Sequence, residues 1–479
     1  MTMRGDACDA APRMQLHPLV EEALSILALL VAVAIVYARL PRVDVGHTPA
    51  YLRRRFINWF PLGLTYAFLY MGRYNLTAAK GALDALGLMS NADFGTIKSI
   101  GAVVYGCSFL LNGPLADKLG GRRTMLIGTA GVVVANVLMG AALLSGAFTK
   151  LRVPFTVLYA LNMYFQSFGA VSIVKVNASW FHLRERGAFG GIFGILISLG
   201  LYLAFDPTRL LLASFPPAFA FFLPAAVLFA FFIVDYLVVR DTPGEAGHAD
   251  FDVADASSAD DGPPLGLAAV AKKMLTHPVI LAIALVEFCS GYLRAALMDW
   301  YYIFAQQTGA MEREYVPKHW GLMQCVAGIL GGVIAGVISD RLFASRRGPV
   351  AALLYGVCIV ASVGVSLTLL SPALGWVVVL MMLAIIGVHG MLSGTASMDF
   401  GGRKNAGLAV GIIDGFVYLG VAAQAFLLGR LLPEKGHGAE DPTRWTAWPW
   451  AMMPVAVIGF VIALRLWNAR PASKSTAAH

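Results

Sequence analysis

Two arginines within long apolar stretches constrain this chain more than any other feature. Arg73 lies in FLYMGRYNLTAA, and Arg294 lies in FCSGYLRAALMDW. An ionised side chain at membrane depth costs about 3 kcal/mol on insertion scales, so it usually faces a cavity and has a function there. One such arginine can be structural. Two of them, at equivalent positions of a repeated chain, predict a central pocket for a dianion.

The composition predicts a polytopic membrane protein. The chain has 479 residues, of which 58% are hydrophobic and 13% are charged, and a soluble protein would carry about twice that charge. Apolar runs of roughly 20 residues recur, each long enough to span about 30 Å of hydrocarbon. We predict thirteen spans, at about 22–40, 57–79, 97–117, 124–146, 153–175, 187–205, 216–238, 278–303, 318–340, 349–370, 374–396, 405–430 and 447–467.

Several function classes are disfavoured by what the sequence lacks. The five cysteines form no C-x-x-C or other ligand spacing, so we expect no metal site and no cofactor. No Walker sequence for ATP and no combination of a nucleophile and a base occurs, so we expect no enzyme. The net charge of +8 fits positive cytoplasmic loops better than a nucleic-acid partner.

The basic residues predict the orientation. The first span follows Glu21 and Glu22 rather than basic residues, which weakens its interpretation as a signal peptide. The run Arg53–Arg55 follows that span, and further arginines and lysines fall in alternate loops. By the positive-inside rule those loops are cytoplasmic, and so is the C-terminus. We expect a multi-pass protein of the bacterial inner membrane.

A long polar segment divides the chain. The stretch 240–266 is acidic and poor in large apolar residues, which predicts a mobile linker. It separates six spans from six, and the first span is extra. The predicted units are an N-terminal extension (1–50), a first bundle (51–239), a cytoplasmic linker (240–274), a second bundle (275–470) and a cytoplasmic tail (471–479).

Each predicted bundle carries the same loop. The first copy is GPLADKLGGRRTM and the second is GVISDRLFASRRG. Internal duplication of this kind indicates two packed bundles with a site at their interface. We expect the charged residues of both copies to hold the cytoplasmic helix ends together in one state of a transport cycle, or to set topology. These gate candidates are Asp117, Arg122, Arg123, Asp340, Arg346 and Arg347.

The repeated loop resembles the loop between the second and third helices of the major facilitator superfamily. The segments FLYMGRYNLTAAKGAL, YFQSFGAVSIVKVNASWFHLRERG, RDTPGEAG and YLRAALMDW further resemble the organophosphate:phosphate antiporters, over about 55–470. The resemblance implies an all-α membrane fold of twelve helices in two six-helix bundles, here with one extra N-terminal transmembrane helix. It also implies that Arg73 and Arg294 bind substrate.

The chain departs from that family at three auxiliary positions. Tyr74 stands where the family often has lysine, Phe109 where several members have a second-helix lysine, and Ile197 where some have a histidine. The arginine pair still implies phosphate recognition, because a guanidinium offers two parallel N–H groups to an oxyanion. The identity of the substrate stays open.

Other polar residues in the spans are candidates for supporting roles. Tyr66, Tyr70 and Tyr74 share a helix face with Arg73, so their hydroxyls can bond substrate oxygens or simply pack. Glu287, His389 and Asp414 also lie in apolar spans. Glu287 can be a resting counter-ion of Arg294 or a proton site, and Asp414 and His389 can be proton sites. Each can instead be a structural polar group.

Three functions follow as hypotheses. The first is a monomeric secondary transporter that exchanges an organic phosphate, such as a sugar or glycerol phosphate, for inorganic phosphate. The second is a proton-coupled carrier of another organic anion. The third is a transporter-like membrane sensor of a phosphorylated metabolite, in which the extra N-terminal helix contacts a partner protein.

Overall fold

Thirteen long helices form the part of the chain that the computed structural model describes, residues 18–38, 47–251, 276–343, 346–392 and 406–468. The first seven are α1 (Pro18–Ala38), α2 (Pro49–Ala85), α3 (Asn91–Leu119), α4 (Gly121–Leu144), α5 (Arg152–Trp180), α6 (Leu183–Ser214) and α7 (Phe219–Val238). The others are α8 (Pro278–Gln307), α9 (Trp320–Phe343), α10 (Arg347–Thr368), α11 (Leu374–Met391), α12 (Ala406–Leu431) and α13 (Ala447–Arg465).

Local sequence determines where several of these helices begin. The Thr48 side chain accepts a hydrogen bond from the Tyr51 amide at 3.2 Å, and Pro49 opens α2. Ser90 and Asp93 form a capping box at the start of α3. Gly120 has φ +86°, which a residue with a Cβ atom rarely adopts, and it separates α3 from α4.

Ten of the described helices are long and apolar enough to cross a membrane. They are α4 to α13, with α6 counted from Gly194, α12 from Gly411 and α13 from Pro442. The helices α2 and α3 have 37 and 29 residues, but their polar and ionised side chains reduce their mean hydropathy. Polar residues in a membrane protein face the interior or a cavity, so α2 and α3 are the helices expected to line a site.

The twelve helices after α1 form two bundles of six, as the repeat predicted. In the first bundle α2 packs on α6 and α7, and α4 packs on α5 and α7. In the second bundle α8 packs on α12 and α13, and α10 packs on α11 and α13. The bundles meet mainly where α3 packs on α12 and α6 packs on α9. These two pairs are equivalent under the pseudo-two-fold repeat.

The molecule has two faces, which we name by their residues. The basic face comprises the helix ends near Arg53–Arg55, Lys118 and Arg122, and the distal face comprises the opposite ends. Hydrogen bonds join the two bundles from mid-depth to the distal face, between Arg73 and Tyr418 and between Asn91 and the Pro433 carbonyl. The bundles are thus closed on the distal face.

Backbone contact makes this closure tight. A Cβ atom at Gly95 of α3 would lie 2.3 Å from the Ala425 carbonyl oxygen of α12, and one at Gly429 would lie 2.8 Å from the Gly95 Cα. Only glycine permits so close an approach of two helices.

The extra helix α1 packs on α6. Val33 is buried at 2% exposure, whereas Leu24, Leu27, Val31 and Ile35 are exposed. One face of α1 therefore contacts the first bundle, and the other presents apolar side chains as a lipid-facing helix does.

The central segment begins as ordered structure. The Arg240 carbonyl accepts hydrogen bonds from Asn58 and Trp180, and Phe251 contacts the Tyr51 ring edge-on at 5.8 Å. Residues 240–251 thus pack on the first bundle. The rest of the predicted linker, 252–274, lies outside the described residues, as do 1–17 and the predicted tail, so those predictions stay predictions.

Close packing inside the second bundle gives a stability test. A Cβ atom at Gly291 of α8 would lie 2.0 Å from the Val417 carbonyl oxygen of α12. We expect Gly291→Ala to destabilise the protein by about 1–3 kcal/mol, because the helices must separate. Thermal unfolding in detergent micelles measures the change.

The matched control is Gly332→Ala in α9, where no atom of the described residues lies within 4 Å of the added atom. That change should be neutral or stabilising, because alanine favours helix by about 0.5–1 kcal/mol over glycine. Equal melting temperatures for the two variants would contradict the packing described here.

Candidate functional site

Three polar residues of α5 hold the part of α2 that carries Arg73. Tyr159, Asn162 and Gln166 lie three and four positions apart, which places them on one helix face. They donate hydrogen bonds of 3.0, 3.1 and 2.8 Å to backbone carbonyls within residues 69–73 of α2. These bonds fix the depth and rotation of α2, and hence the direction of the Arg73 side chain.

Arg73 is 2% exposed and is surrounded by neutral groups. Its Nη1 donates to the Tyr418 hydroxyl at 2.9 Å, and its Nη2 donates to the Tyr105 hydroxyl at 3.0 Å and to Gln166 at 3.3 Å. The Tyr70 and Tyr105 rings lie 4.6 and 4.4 Å from the guanidinium carbon. No carboxylate in the described part of the chain lies within 4.0 Å of it.

Arg73 and Arg294 line one cavity between the bundles. Its volume of about 20 Å³ holds one water molecule but not a phosphate ester, so admission of an ester requires movement of the walls. The lining residues are Arg73, Tyr74, Lys98, Ala102, Tyr159, Met163, Arg294, Ala295, Met298, Asp299, Tyr418 and Val421.

A buried ion pair crosses between the bundles at the same cavity. Lys98 of α3 lies 3.1 Å from Asp299 of α8, and the Thr77 hydroxyl donates to the same carboxylate at 2.7 Å. Lys98 is 5% exposed and Asp299 is 1% exposed. Because Lys98 and Asp299 cancel, the lining retains the two positive charges of Arg73 and Arg294.

Arg294 is half-buried, and its guanidinium has no hydrogen-bond partner among the described residues. Glu287, two helical turns away, is fully buried and lies 2.8 Å from His389 Nδ1 of α11. Arg294 is within electrostatic reach of both, and half-buried Asp414 is within reach of His389. The three candidate coupling residues therefore lie together in the second bundle, and the Glu287 carboxylate contacts His389 directly.

The three tyrosines predicted to line the site differ in position. Tyr74 lines the cavity, and Tyr70 packs beneath the Arg73 guanidinium. Tyr66 is 7% exposed and packs edge-on against Tyr70 with 5.5 Å between ring centres. It is not among the lining residues of this cavity, and its role in binding substrate stays a prediction.

The gate candidates of the first bundle contact their own bundle. The Arg122 guanidinium donates to the Tyr236 carbonyl at the end of α7, and its backbone amide donates to Asp241 at 2.6 Å. Burial raises the pKa of the Asp241 carboxyl, and the hydrogen bond from the Arg122 amide opposes that shift. Arg123 is exposed, and the side chain of Asp117 lies outside the described part of the chain.

In the second bundle Asp340 is exposed and Arg347 is half-buried. The Arg346 Nε donates to the Phe343 carbonyl at 3.2 Å. The described contacts of Arg122 and Arg346 tie helix ends within one bundle, and the role of the six residues as a gate stays a prediction.

Several polar residues at the site were not predicted from the sequence: Tyr105, Gln166 and Tyr418 contact the Arg73 guanidinium, and Lys98 lines the cavity. Gln166 lies in an apolar span, and Lys98 lies at the edge of one, so the argument applied to the arginines could have identified both. The tyrosines gave no such signal, because a tyrosine packs equally well as an aromatic ring.

The sequence of this chain also matches a known protein family. The model of the Major Facilitator Superfamily matches residues 62–425. The chain belongs to this superfamily, which makes it a membrane transport protein by descent rather than an enzyme.

Several similar proteins have names that refer to phosphorylated metabolites or to sensing. The membrane sensor protein UhpC of Escherichia coli is 27% identical over 439 residues, which cover 88% of this chain and 93% of that protein. The glycerol-3-phosphate transporter of Bacillus subtilis is 26% identical, covering 88% and 94%. A probable hexose phosphate transport protein of Chlamydia trachomatis is 24% identical, covering 90% and 96%.

Solved structures support the fold alone. A bacterial homologue of the human lysosomal transporter Spinster, in an inward-facing and unoccupied conformation, has a TM-score of 0.63 at 13% identity, covering 88% of this chain and 98% of that one. The human organic anion transporter MFSD10 has a TM-score of 0.59 at 15% identity, covering 88% and 100%.

The Lys98–Asp299 pair predicts a non-additive stability cycle. Removing one partner of a buried pair leaves an uncompensated charge, so Lys98→Met and Asp299→Asn should each destabilise by about 3 kcal/mol. The double variant should lose less stability than the sum of the losses in the two single variants. Melting temperatures of the purified protein measure all three.

The control is Asp441→Asn, which removes an exposed partner of Arg444 at 4.0 Å and should change stability by less than about 1 kcal/mol. Strictly additive losses in the Lys98 and Asp299 variants would show that the pair does not couple the two bundles.

Proposed function

We propose that the protein is a secondary transporter that exchanges an organic phosphate for inorganic phosphate by alternating access. The proposal rests on one observation. Arg73 from the first bundle and Arg294 from the second line the same cavity, and among the described residues that line it no carboxylate is left to balance their charges. The names of the relatives in Bacillus subtilis and Chlamydia trachomatis support the same substrate class.

Phosphate chemistry fits this charge pattern. A phosphate monoester near pH 7 carries between one and two negative charges. A guanidinium binds it through two parallel N–H groups, and such charge-assisted bonds are about twice as strong as neutral ones. An anion between Arg73 and Arg294 removes their mutual repulsion, so binding energy becomes available to draw the bundles together.

The same electrostatics favours exchange over one-way transport. An empty site retains two positive charges in a medium of low dielectric constant, where like charges repel strongly. A site loaded with a dianion is close to neutral. The loaded protein should therefore change conformation readily and the empty one slowly, which links the inward passage of one phosphate compound to the outward passage of another.

In this proposal the basic face is cytoplasmic and the protein acts as a monomer in a bacterial inner membrane. The basic residues Arg53–Arg55, Lys118 and Arg122 at this face support the orientation through the positive-inside rule. The distal closure then lies on the side of the membrane opposite the cytoplasm.

Substitution of the arginines tests the site. We expect Arg73→Lys and Arg294→Lys to reduce phosphate exchange by about tenfold or more, because lysine keeps the charge but loses the two-pronged donor. The assay is uptake of radiolabelled phosphate into proteoliposomes preloaded with phosphate.

The control for that assay is Arg152→Lys, an arginine with a 53% exposed side chain at the start of α5, which should exchange normally. Undiminished exchange in both site variants would refute the arginine site. Absence of exchange in a well-folded native protein would refute the antiport function.

A second candidate, a proton-coupled anion carrier, is favoured by one contact. Glu287 is fully buried 2.8 Å from His389 and within electrostatic reach of Arg294. A carboxyl that can accept a proton beside a substrate-binding arginine is a plausible coupling site.

This candidate predicts net uptake driven by an imposed pH gradient without any internal anion. Glu287→Gln should abolish that uptake and retain phosphate exchange, because the amide keeps the shape but cannot take up a proton. Glu312→Gln, on an exposed residue, is the control. A native protein that shows no gradient-driven uptake rules out the proton-coupled carrier.

A third candidate function, a membrane sensor, is supported by the similarity to UhpC. A protein that binds phosphate compounds but supports neither exchange nor gradient-driven uptake would fit a sensor, with α1 as the surface available to a partner protein.

A further inference from the structure

Two carboxylates cross between the bundles at the distal face and bind helix N-termini. The first is Asp206 of α6, which is 2% exposed. It accepts hydrogen bonds from the backbone amides of Gly321 at 2.8 Å and Leu322 at 3.0 Å. Both amides lie in the first turn of α9, in the other bundle.

The second carboxylate is Glu434, which follows α12. Its Oε2 accepts from the Asn91 amide at 2.7 Å and its Oε1 accepts from the Ala92 amide at 3.0 Å. These amides lie in the first turn of α3, again in the other bundle. Pro433 supports the contact, because its carbonyl accepts from the Asn91 side chain at 2.7 Å.

The two contacts are equivalent under the repeat. α3 and α9 are the second helices of their bundles, and α6 and α12 are the fifth. Each bundle therefore supplies a carboxylate from the distal end of its fifth helix to the N-terminus of the second helix in its partner. Neither carboxylate was singled out in the sequence, because the amides they bind are distant along the chain.

Helix N-termini are suited to this role. The first amides of a helix have no partner within the helix, and the helix dipole adds partial positive charge there. In α3 the Ser90 side chain already accepts from the Asp93 amide, so Glu434 binds the two amides that Ser90 leaves free. Ser90 and Glu434 therefore cap different amides of the same helix. Of the two, only Glu434 belongs to the other bundle.

We infer that Asp206 and Glu434 are positioning residues of the transport cycle, which hold the distal face closed by capping the partner bundle's second helix. The inference depends on the alternating access of the proposed function. Because each cap joins two bundles, it must break when the distal face opens, and water then replaces the carboxylate at the helix end.

Amide substitutions isolate this role. Glu434→Gln and Asp206→Asn keep the size of the side chain, but the new NH₂ group cannot accept a hydrogen bond from a backbone amide. Each variant loses one of two hydrogen bonds together with the interaction between the charge and the helix dipole. We expect each to lower the ratio of distal-closed to distal-open molecules by about tenfold, and the double variant to lower it further.

The experiment measures distances between spin labels in detergent or nanodiscs without substrate. One label pair, at Phe148→Cys and Leu370→Cys, reports on the distal face, and the other, at Tyr236→Cys and Leu342→Cys, reports on the basic face. All four positions are exposed. The background replaces Cys8 and the exposed Cys107 with serine.

Glu440→Gln is the matched control, because Glu440 caps the Gly436 amide within its own loop and bridges no bundles. We expect longer distances across the distal face and shorter distances across the basic face in Glu434→Gln and Asp206→Asn, with no change in the control. Opposite shifts at the two faces indicate a change of population, which a merely structural cap would not produce.

Native distance distributions in both single variants and the double variant would overturn the inference. Broadening at both faces would overturn it too, because that is the sign of lost structure rather than opening. The distance measurement needs no substrate. Its result can therefore be judged separately from the phosphate-exchange assay, even if the native protein shows no exchange.

Discussion

The burial of the Arg73 guanidinium among neutral acceptors is the interaction on which this structure depends. Polar side chains of α5 fix the backbone that carries Arg73. The guanidinium donates one hydrogen bond to the Tyr105 hydroxyl of α3 and another to the Tyr418 hydroxyl, which belongs to the opposite bundle. A charge held this way is solvated by the protein but not neutralised. The Arg73 charge therefore lies at the junction of the bundles, with no carboxylate of the described residues within 4.0 Å to neutralise it.

Closure of the distal face and the state of the site are linked physically. The approach of α3 to α12 at Gly95 and Gly429 brings Tyr418 toward Arg73. On the same side of the cavity, Lys98 meets Asp299. An anion at Arg73 must compete with the Tyr418 hydroxyl for a guanidinium donor, so binding and the relative position of the bundles influence each other.

The sequence was informative where one residue type conflicted with its surroundings. Arg73 and Arg294 stood out because ionised groups are rare in apolar spans, and the repeated loop indicated the two-bundle fold. Partners such as Tyr418 could not be predicted, because which faces of two helices meet depends on packing between residues hundreds of positions apart. Tyr66 shares a helix face with Arg73 but does not line the cavity, because helical periodicity gives the face of a helix and not the depth at which a cavity ends.

The most direct test is an experimental structure of the protein in lipid nanodiscs with glycerol-3-phosphate. We expect one phosphate group between the Arg73 and Arg294 side chains, each within hydrogen-bond distance, with the Tyr418 hydroxyl displaced from Arg73 Nη1. A phosphate bound to only one bundle, or an Arg73 that keeps its tyrosine partners while substrate occupies another place, would contradict it.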